Sequence, residues 1–428
     1  MAERGHAVLI HQPRPLSPFG EPARDAFFAG ETVGEATRSG LERCGLEVHL
    51  APDTETAKRL VASLKGRVLL LPDHIYLSEK AAKDGWRAAR RAPLPAAFAL
   101  SVNASVRWTA PLQDVRAKEE TRLVHDILVV EGGSALPEAE PDPARWLRNI
   151  SATPVEIPKR ELVFPVRVPT IGAGEKAFWD YPMTSTVIVA VDAWVHVLWL
   201  NQLAFGVRWM EIARRHPVYL AWRAASALTI RLERLLDRLN WVEPGAEVHP
   251  SARLSGSIVR AGARVGPCAT IKNAIIGAEA DVGAHAVILG SVIGARSLVR
   301  EDTVMVSSVS YPDATIANLK LQVSLLGRGS AISTWAGLID ARFAGPIKIQ
   351  HRGDLQSTER SFLGSVLGHG ARLDGKVLIQ PGREIPNGVI VRMRPDEVVS
   401  HIPEDLVPGR PYVRDGGTLV PLGSEQRS

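Results

Sequence analysis

Residues 248–316 read VHPSARLSGSIVRAGARVGPCATIKNAIIGAEADVGAHAVILGSVIGARSLVREDTVMVSSVSYPDATI. Three aliphatic series run through this stretch with one period. Val248, Val265, Val282, Val299 and Ile316 stand 17 residues apart, as do Leu254, Ile271, Ile288 and Met305. Val259, Ile276 and Ile293 form the third series, with Ser310 as its weak member. Three series sharing one period describe a coil with three flat faces, each placing one side chain inward per turn, and several stacked coils are needed to bury such an interior. Small or β-branched residues follow many of these aliphatics at the fourth position: Ala252, Ala263, Ala269, Ala280, Ala286, Ser297 and Thr303. Gly266, Gly277, Gly283 and Gly294 follow directly and read as corner glycines, chosen for backbone freedom. After Ile316 the pattern fails at Lys320 and returns around Leu326–Ile332. It resumes beyond Phe362 as a six-residue ladder of Leu367, Leu373, Ile379, Ile385 and Val391. The spacing predicts a parallel β-helix of hexapeptide repeats over residues 243–395, with a tail over 396–428. Residues 333–361 are expected to form a distorted coil or an excursion from it.

Working outward toward the N-terminus, residues 1–145 read as an α/β domain. Strands are expected at Ala7–Ile10, Leu46–Leu50, Arg67–Leu71, Ala96–Val102 and Leu123–Val130, with helices at Glu31–Cys44, Thr54–Leu64 and Ser78–Arg91. That alternation predicts a mostly parallel open sheet with helices on both faces. Residues 146–242 read as an irregular and helical connector, with helices over Ser185–Arg215 and Pro217–Asn240. In the second of these, Leu220, Leu228, Leu232 and Leu235 track one face. The connector is expected to cap the first coil, whose apolar interior and β edge are otherwise open.

Composition narrows the functional classes. The 428 residues are 45% hydrophobic and 23% charged with a net charge of +5, an ordinary globular balance. Arg outnumbers Lys 40 to 11 but is spread along the chain, so no basic stripe points to nucleic acid. Two distant cysteines, Cys44 and Cys268, exclude a disulfide framework and a Cys-based metal site, and fit a cytoplasmic location. Residues 187–207 are long enough to cross a bilayer. They carry Asp192, His196, Asn201 and Gln202, which argues for a buried helix at a domain junction, with a membrane-surface helix as the fallback.

The joint Gly290-Ser291-Val292-Ile293-Gly294 and the closing stretch His369–Val391 carry a family resemblance. Taken with an α/β domain and a helical connector, the chain resembles the sugar-1-phosphate nucleotidyltransferases and hexapeptide-repeat acyltransferases. These include the bifunctional N-acetylglucosamine-1-phosphate uridyltransferase/acetyltransferase and mannose-1-phosphate guanylyltransferase. The resemblance implies a left-handed β-helix, a homotrimer, and a sugar phosphate or sugar nucleotide as substrate. It also implies Mg2+ with a nucleotide in the first domain, or acetyl-CoA as acyl donor at the β-helix. One departure bears on function. Such nucleotidyltransferases carry a Gly-rich loop after the first strand, because backbone N–H groups must approach the phosphates. Here that loop is His11-Gln12-Pro13-Arg14-Pro15-Leu16-Ser17-Pro18-Phe19-Gly20, in which three prolines remove donors, so the first domain reads as degenerate.

Several residues are candidates for chemistry. Asp73 follows Arg67–Leu71 at the carboxyl end of a strand, where open α/β sheets bind ligands and where the resemblance places a metal-binding aspartate. Acyl transfer needs a general base. Of His249, His285, His351 and His369, His351 stands out because it lies in the irregular excursion with Arg352, Asp354, Thr358, Glu359 and Arg360. His351 and Glu359 are the expected catalytic groups, and Arg352, Asp354, Arg360 and Arg14 the expected substrate-binding ones. Asp192 and His196, four apart on one helix face, are the second catalytic candidates, as a carboxylate-oriented imidazole or as part of a buried network. A three-histidine metal site on adjacent coils fits poorly, since His249 and His285 are 36 residues apart and no third histidine completes the set. The expected function is a sugar-nucleotide-type transferase. The alternative is a non-catalytic trimeric scaffold or ligand-binding assembly protein.

Overall fold

A computed structural model describes residues 5–167, 178–226, 238–342 and 344–422. The first unit is a seven-stranded sheet. Its order is Thr153–Glu156, Ala96–Ser101, Arg122–Glu131, Arg67–Pro72, His6–Ile10 and Glu47–Ala51, with Ala117–Lys118 paired to Arg122–Glu131. Arg122–Glu131 runs against its neighbours and all other strands share one direction. The sheet is therefore mixed, and it extends past residue 145 because Thr153–Glu156 adds itself in parallel beside Ala96–Ser101.

Period-two alternation sends Ala7 and Leu9 to one face, against Val33–Arg43 and Glu79–Ala89. Val8 and Ile10 go to the other, against Thr54–Ser63 and Pro143–Arg148. The helices Val33–Arg43 and Thr54–Ser63 each start on a side chain that takes an orphan backbone donor. The Thr32 hydroxyl accepts from Glu35 N at 3.2 Å while Glu35 Oε2 accepts from Thr32 N at 2.9 Å, and Asp53 Oδ1 accepts from Thr56 N at 2.7 Å.

The connector differs from its expected form. Residues 187–193 are not helical: Ile188–Ala190 pairs antiparallel with Ile75–Leu77, as suits a run of β-branched residues. The helix begins at Trp194 and ends at Arg215, followed by Pro217–Ser226. Leu228, Leu232 and Leu235 of the expected second helix lie outside the described residues. Every residue from Val187 to Trp209 is buried except Asp192, which is half-buried. The segment is enclosed between the sheet domain and the β-helix, which rules out a membrane-surface role for it in the intact fold. Among the described residues no helix is long and apolar enough to cross a membrane.

Eight coils follow. Two faces are eight-stranded parallel sheets running from Trp241–Val242 to Glu384–Ile385 and from Glu247–Val248 to Ile390–Val391. The third face has five strands, and a separate pair, Gly337–Leu338 with Leu378–Ile379, lies beyond them. The 17-residue register holds to Ile316, which then pairs with Ile332 after only 16 residues, a shortened coil at the point where the sequence pattern failed. The chain leaves the coil after Ile339 and returns by Phe362. In between it forms an antiparallel hairpin, Lys348–His351 with Asp354–Ser357. The first coil is covered by the connector: His216 and Tyr219 pack on Trp241, with ring centroids 4.6 and 5.3 Å away.

The glycine reading needs correction. Gly266, Gly277, Gly283 and Gly294 do not adopt positive φ. They are required because the next coil passes so close that a Cβ would meet its backbone at 2.2–2.9 Å. Positive φ instead falls on other corner columns, among them Gly245, Gly262, Glu279, Arg296, Asp313, Gly329, Gly370 and Gly388, and Gly256, Asn273, Gly290 and Ser307.

Candidate functional site

The excursion hairpin reaches back to the sheet domain and meets it in a chain of alternating charges. Asp126 accepts two bonds from Arg148 Nε (3.0 and 3.1 Å) and one from its Nη2 (2.7 Å), and Arg148 Nη1 also pairs with Asp114 at 2.7 Å. Asp114 pairs with Arg352 (3.0 Å), Arg352 with Asp192 (3.3 Å), Asp192 with Arg14 (3.9 Å), and Arg14 with Asp142 (3.1 Å). Four aspartates and three arginines from the sheet, the loop after the first strand, the connector and the hairpin are thus joined. Burial pushes the Asp114 carboxyl upward, but Arg148 and Arg352 outweigh it and hold the group below the usual carboxylate range. Asp126 is more deeply buried and stays raised despite Arg148.

Three of the expected residues, Arg14, Asp192 and Arg352, are brought together here from positions far apart in sequence. Arg352 owes its reach to the hairpin turn. Arg352 and Gly353 both have positive φ, 52° and 91°, the backbone of a two-residue type I′ turn, which puts the guanidinium at the tip. Beside it opens a cleft of about 360 Å³, lined by Gln113, Asp114, Lys118, His351, Arg352, Gln356, Ser357 and Glu359. His351 is 8% exposed, and among the described residues neither of its ring nitrogens has a hydrogen-bond partner. Burial, then Arg352, push its pKa below the ordinary imidazole value, so the ring is neutral at pH 7. Glu359 stands exposed on the cleft wall, and Asp354 is exposed, opposite His351 in the hairpin register.

Other expected residues go elsewhere. The Asp192–His196 pair does not form, because Asp192 turns toward Arg352 and Asp114 N. His196 is fully buried at the helix start, its Nδ1 accepting from Asp192 N and Ala193 N (both 3.0 Å) and its Nε2 donating to Pro111 O at 2.8 Å. Those bonds fix the neutral tautomer, and burial lowers its pKa to about 4. Arg360 does not face the cleft; it donates to Trp108 O at 2.9 Å and stacks over the Trp108 ring at 4.8 Å. His249 serves its own turn, with Nδ1 2.8 Å from Ser251 Oγ.

Asp73 lies at the carboxyl end of its strand as expected, but its carboxylate is already engaged. It accepts from Gln12 N (2.9 Å) and Arg24 Nη1 (3.2 Å) and lies 3.0 Å from His11 Nδ1. An arginine and a backbone amide do not suit Mg2+, which takes oxygen ligands in octahedral array. Among the described residues no second carboxylate joins Asp73 in a metal-ligand group.

The proline-rich loop is not a phosphate cradle but a strap on the β-helix. Glu21 accepts from the buried Tyr311 hydroxyl at 2.9 Å, and its other oxygen is 3.2 Å from His369 Nε2. Phe19 stacks on His369 with centroids 4.8 Å apart, and Phe19 O accepts from Asn387 Nδ2 at 2.7 Å. Glu21→Ala leaves the Tyr311 hydroxyl buried without its acceptor, an expected loss of about 1–3 kcal/mol. Denaturant titration and faster amide exchange across residues 15–28 would show it; unchanged exchange would remove the strap.

Asp114, Lys118, Gln113 and Arg148 were not among the expected site residues. The one signal that Gln113, Asp114 and Lys118 carry in sequence is polarity between Pro111 and Lys118 in a segment without secondary-structure pattern, and Arg148 carries none.

No protein-family model matches the chain, and the comparison with curated proteins found no match. Among solved structures, the acetyltransferase domain of PglB from Neisseria gonorrhoeae matches 42% of the chain at 20% identity with a TM-score of 0.15. The same domain in complex with acetyl coenzyme A gives the same figures. The chain spans about three fifths of that domain's length, 62%. A hexapeptide transferase family protein from Anaplasma phagocytophilum matches 37% of this chain and 81% of its own at 14% identity, with a TM-score of 0.19.

Proposed function

We propose that the chain is a small-molecule transferase that moves an acyl group onto a hydroxyl or amine of an anionic sugar, such as a sugar phosphate or sugar nucleotide. The reaction centre is the cleft beside His351. The observation that carries this reading is a neutral, mostly buried imidazole with no hydrogen-bond partner among the described residues, at the wall of a cleft that also presents Lys118 and Arg352. An activated thioester such as acetyl-CoA is the donor, the ligand named for the PglB domain. His351 takes the proton of the attacking hydroxyl as the new acyl–oxygen bond forms and the carbon–sulfur bond breaks, and the imidazolium returns that proton to the leaving thiolate. Lys118 and Arg352 hold the acceptor's phosphate, and Glu359 and Asp354 accept from its hydroxyls. The β-helix is left-handed and trimeric in this reading.

Release of free thiol from acetyl-CoA across a panel of sugar phosphates and sugar nucleotides tests it. His351→Gln should lower kcat/KM roughly 10²-fold while Asp354→Asn changes mainly KM. Because burial and Arg352 depress the His351 pKa, the base form persists to lower pH than for a free imidazole. The acid limb of kcat/KM should then lie below about pH 6.5. An acid limb above that value, or full activity in His351→Gln, removes His351 as the base.

A second reading, a non-catalytic trimeric scaffold, is favoured by one observation. The loop after the first strand is bolted to the β-helix through Glu21, Phe19 and Asn387, which ties the sheet domain down where nucleotide would enter. Absence of binding to nucleoside triphosphates, sugar nucleotides and acetyl-CoA in calorimetry, with a trimer on light scattering, would select it.

A further inference from the structure

At the opposite end of the first strand from the cleft, three metal-ligating side chains share one face. His6 lies beside Glu47 in the parallel register, and Val8 lies beside His49. Paired residues and residues two apart point to the same side of a sheet, so His6, Glu47 and His49 form one group on the row that continues inward as Val8 and Ile10. His6 Nδ1 is 3.2 Å from His49 Nε2 and 3.7 Å from Glu47 Oε2, and all three ligand atoms lie within 4.8 Å of one another. A zinc ion with bonds of about 2.0–2.2 Å in tetrahedral array holds its ligand atoms about 3.3 Å apart. The observed separations bracket that value. The set is also chemically apt: two imidazoles and one carboxylate suit Zn2+, and hard cations such as Mg2+ prefer oxygen alone.

We propose that His6, Glu47 and His49 form a binding site for Zn2+ with water in the fourth position. The site ties the N-terminal strand His6–Ile10 to the edge strand Glu47–Ala51. It stands about 13 Å of strand rise from Ile10 at the other end of the strand, and so acts on the fold rather than in the cleft. Neither ring has another side-chain bond that the metal must break: the His6–His49 contact is between the two atoms that would bind it.

The test uses the full chain without a histidine tag, stripped with chelator and titrated with Zn2+ by calorimetry and with Co2+ by visible absorption. One saturable ion per chain is expected, with the intense absorption of a tetrahedral Co2+ site. His49→Ala and His6→Ala should each weaken binding at least 10-fold, and saturating Zn2+ should raise the thermal midpoint of the native chain but not of the double variant. Glu47→Gln, at an exposed position, keeps the fold intact and should weaken binding without abolishing it. No one-to-one uptake, or equal uptake by the native chain and the His6→Ala/His49→Ala variant, overturns the proposal. It stands or falls without reference to acyl transfer.

Discussion

Gly294→Ala should destabilise the protein by about 3–4 kcal/mol, near the upper end of what adding one methyl group does. A Cβ at Gly294 would lie 2.2 Å from the Tyr311 carbonyl carbon and 2.4 Å from Pro312 N. Both are backbone atoms of the next coil, so no side chain can rotate away. Relief requires the coils to part, and that breaks the bond from Gly294 N to Ser310 Oγ (3.1 Å) and shifts Tyr311, which is fully buried and tied to Glu21. The effect should fall along the series as the approach relaxes, to Gly277 (2.6 Å) and Gly266 (2.9 Å). Gly290→Asn is the control. Gly290 has φ 55° but only ordinary contact, with Ser307 Oγ at 3.5 Å, and Asn273 occupies the equivalent corner one coil earlier at φ 49°. That variant should stay within about 1 kcal/mol of the native protein. Urea midpoints read by circular dichroism would rank the four; equal midpoints for Gly294→Ala and Gly290→Asn would show that coil spacing is not what these glycines protect.

The same coils show what sequence can and cannot reveal. The three aliphatic series were visible because each inward residue packs on its own equivalent one coil along, and that contact repeats with the chain. A second pattern lay in the same residues. On one face the inward position is preceded by another apolar residue in six successive coils: Ile258, Ile275, Val292, Val309, Leu325 and Val366, all 0–3% exposed. On the second eight-stranded face the equivalent positions include Glu247, Arg264, Asp281 and Arg372. Two adjacent apolar residues on a two-residue strand mean that both sides are covered. The cover is the connector helix Trp194–Arg215, which belongs to the same core. Strands and helices of the sheet domain were legible because their periodicities are local. The antiparallel placement of Arg122–Glu131 was not, since no local pattern encodes a strand's direction. The site was legible in pieces. His351 and Arg352 stood out as a polar excursion from a regular coil, and Arg14 and Asp192 as charges in apolar or proline-rich surroundings. Their union depends on a hairpin folding back across the molecule. Asp114 was missed because only its partners, Arg148 and Arg352, give it meaning.

Two buried histidines predict a steep acid dependence of stability. His125, on the strand Arg122–Glu131, is fully buried with both ring nitrogens unpartnered among the described residues, and burial with nearby Lys159 lowers its pKa to about 3. Burial lowers that of His196 to about 4, against the pull of Asp192. In the unfolded chain both titrate near 6.5. The folded values are depressed, so below pH 6.5 the unfolded state binds more protons than the folded one, and stability falls with falling pH until each folded pKa is reached. Each ring then removes about 1.4 kcal/mol per pH unit, or about 2 kcal/mol by pH 5, and the two together about 4 kcal/mol. His125→Leu isolates one of them. It replaces an unsatisfied imidazole with an apolar side chain of similar volume, so stability at pH 7.5 should hold or rise slightly. Between pH 6.5 and 5 the variant should lose about 2 kcal/mol less than the native protein, because one proton-binding site is gone from the unfolded chain while every carboxylate is shared. Urea unfolding at pH 7.5, 6.0 and 5.0 measures that difference directly. Parallel pH profiles would mean that His125 already finds a proton acceptor in the folded protein, and its ring would then have to be hydrated rather than dry.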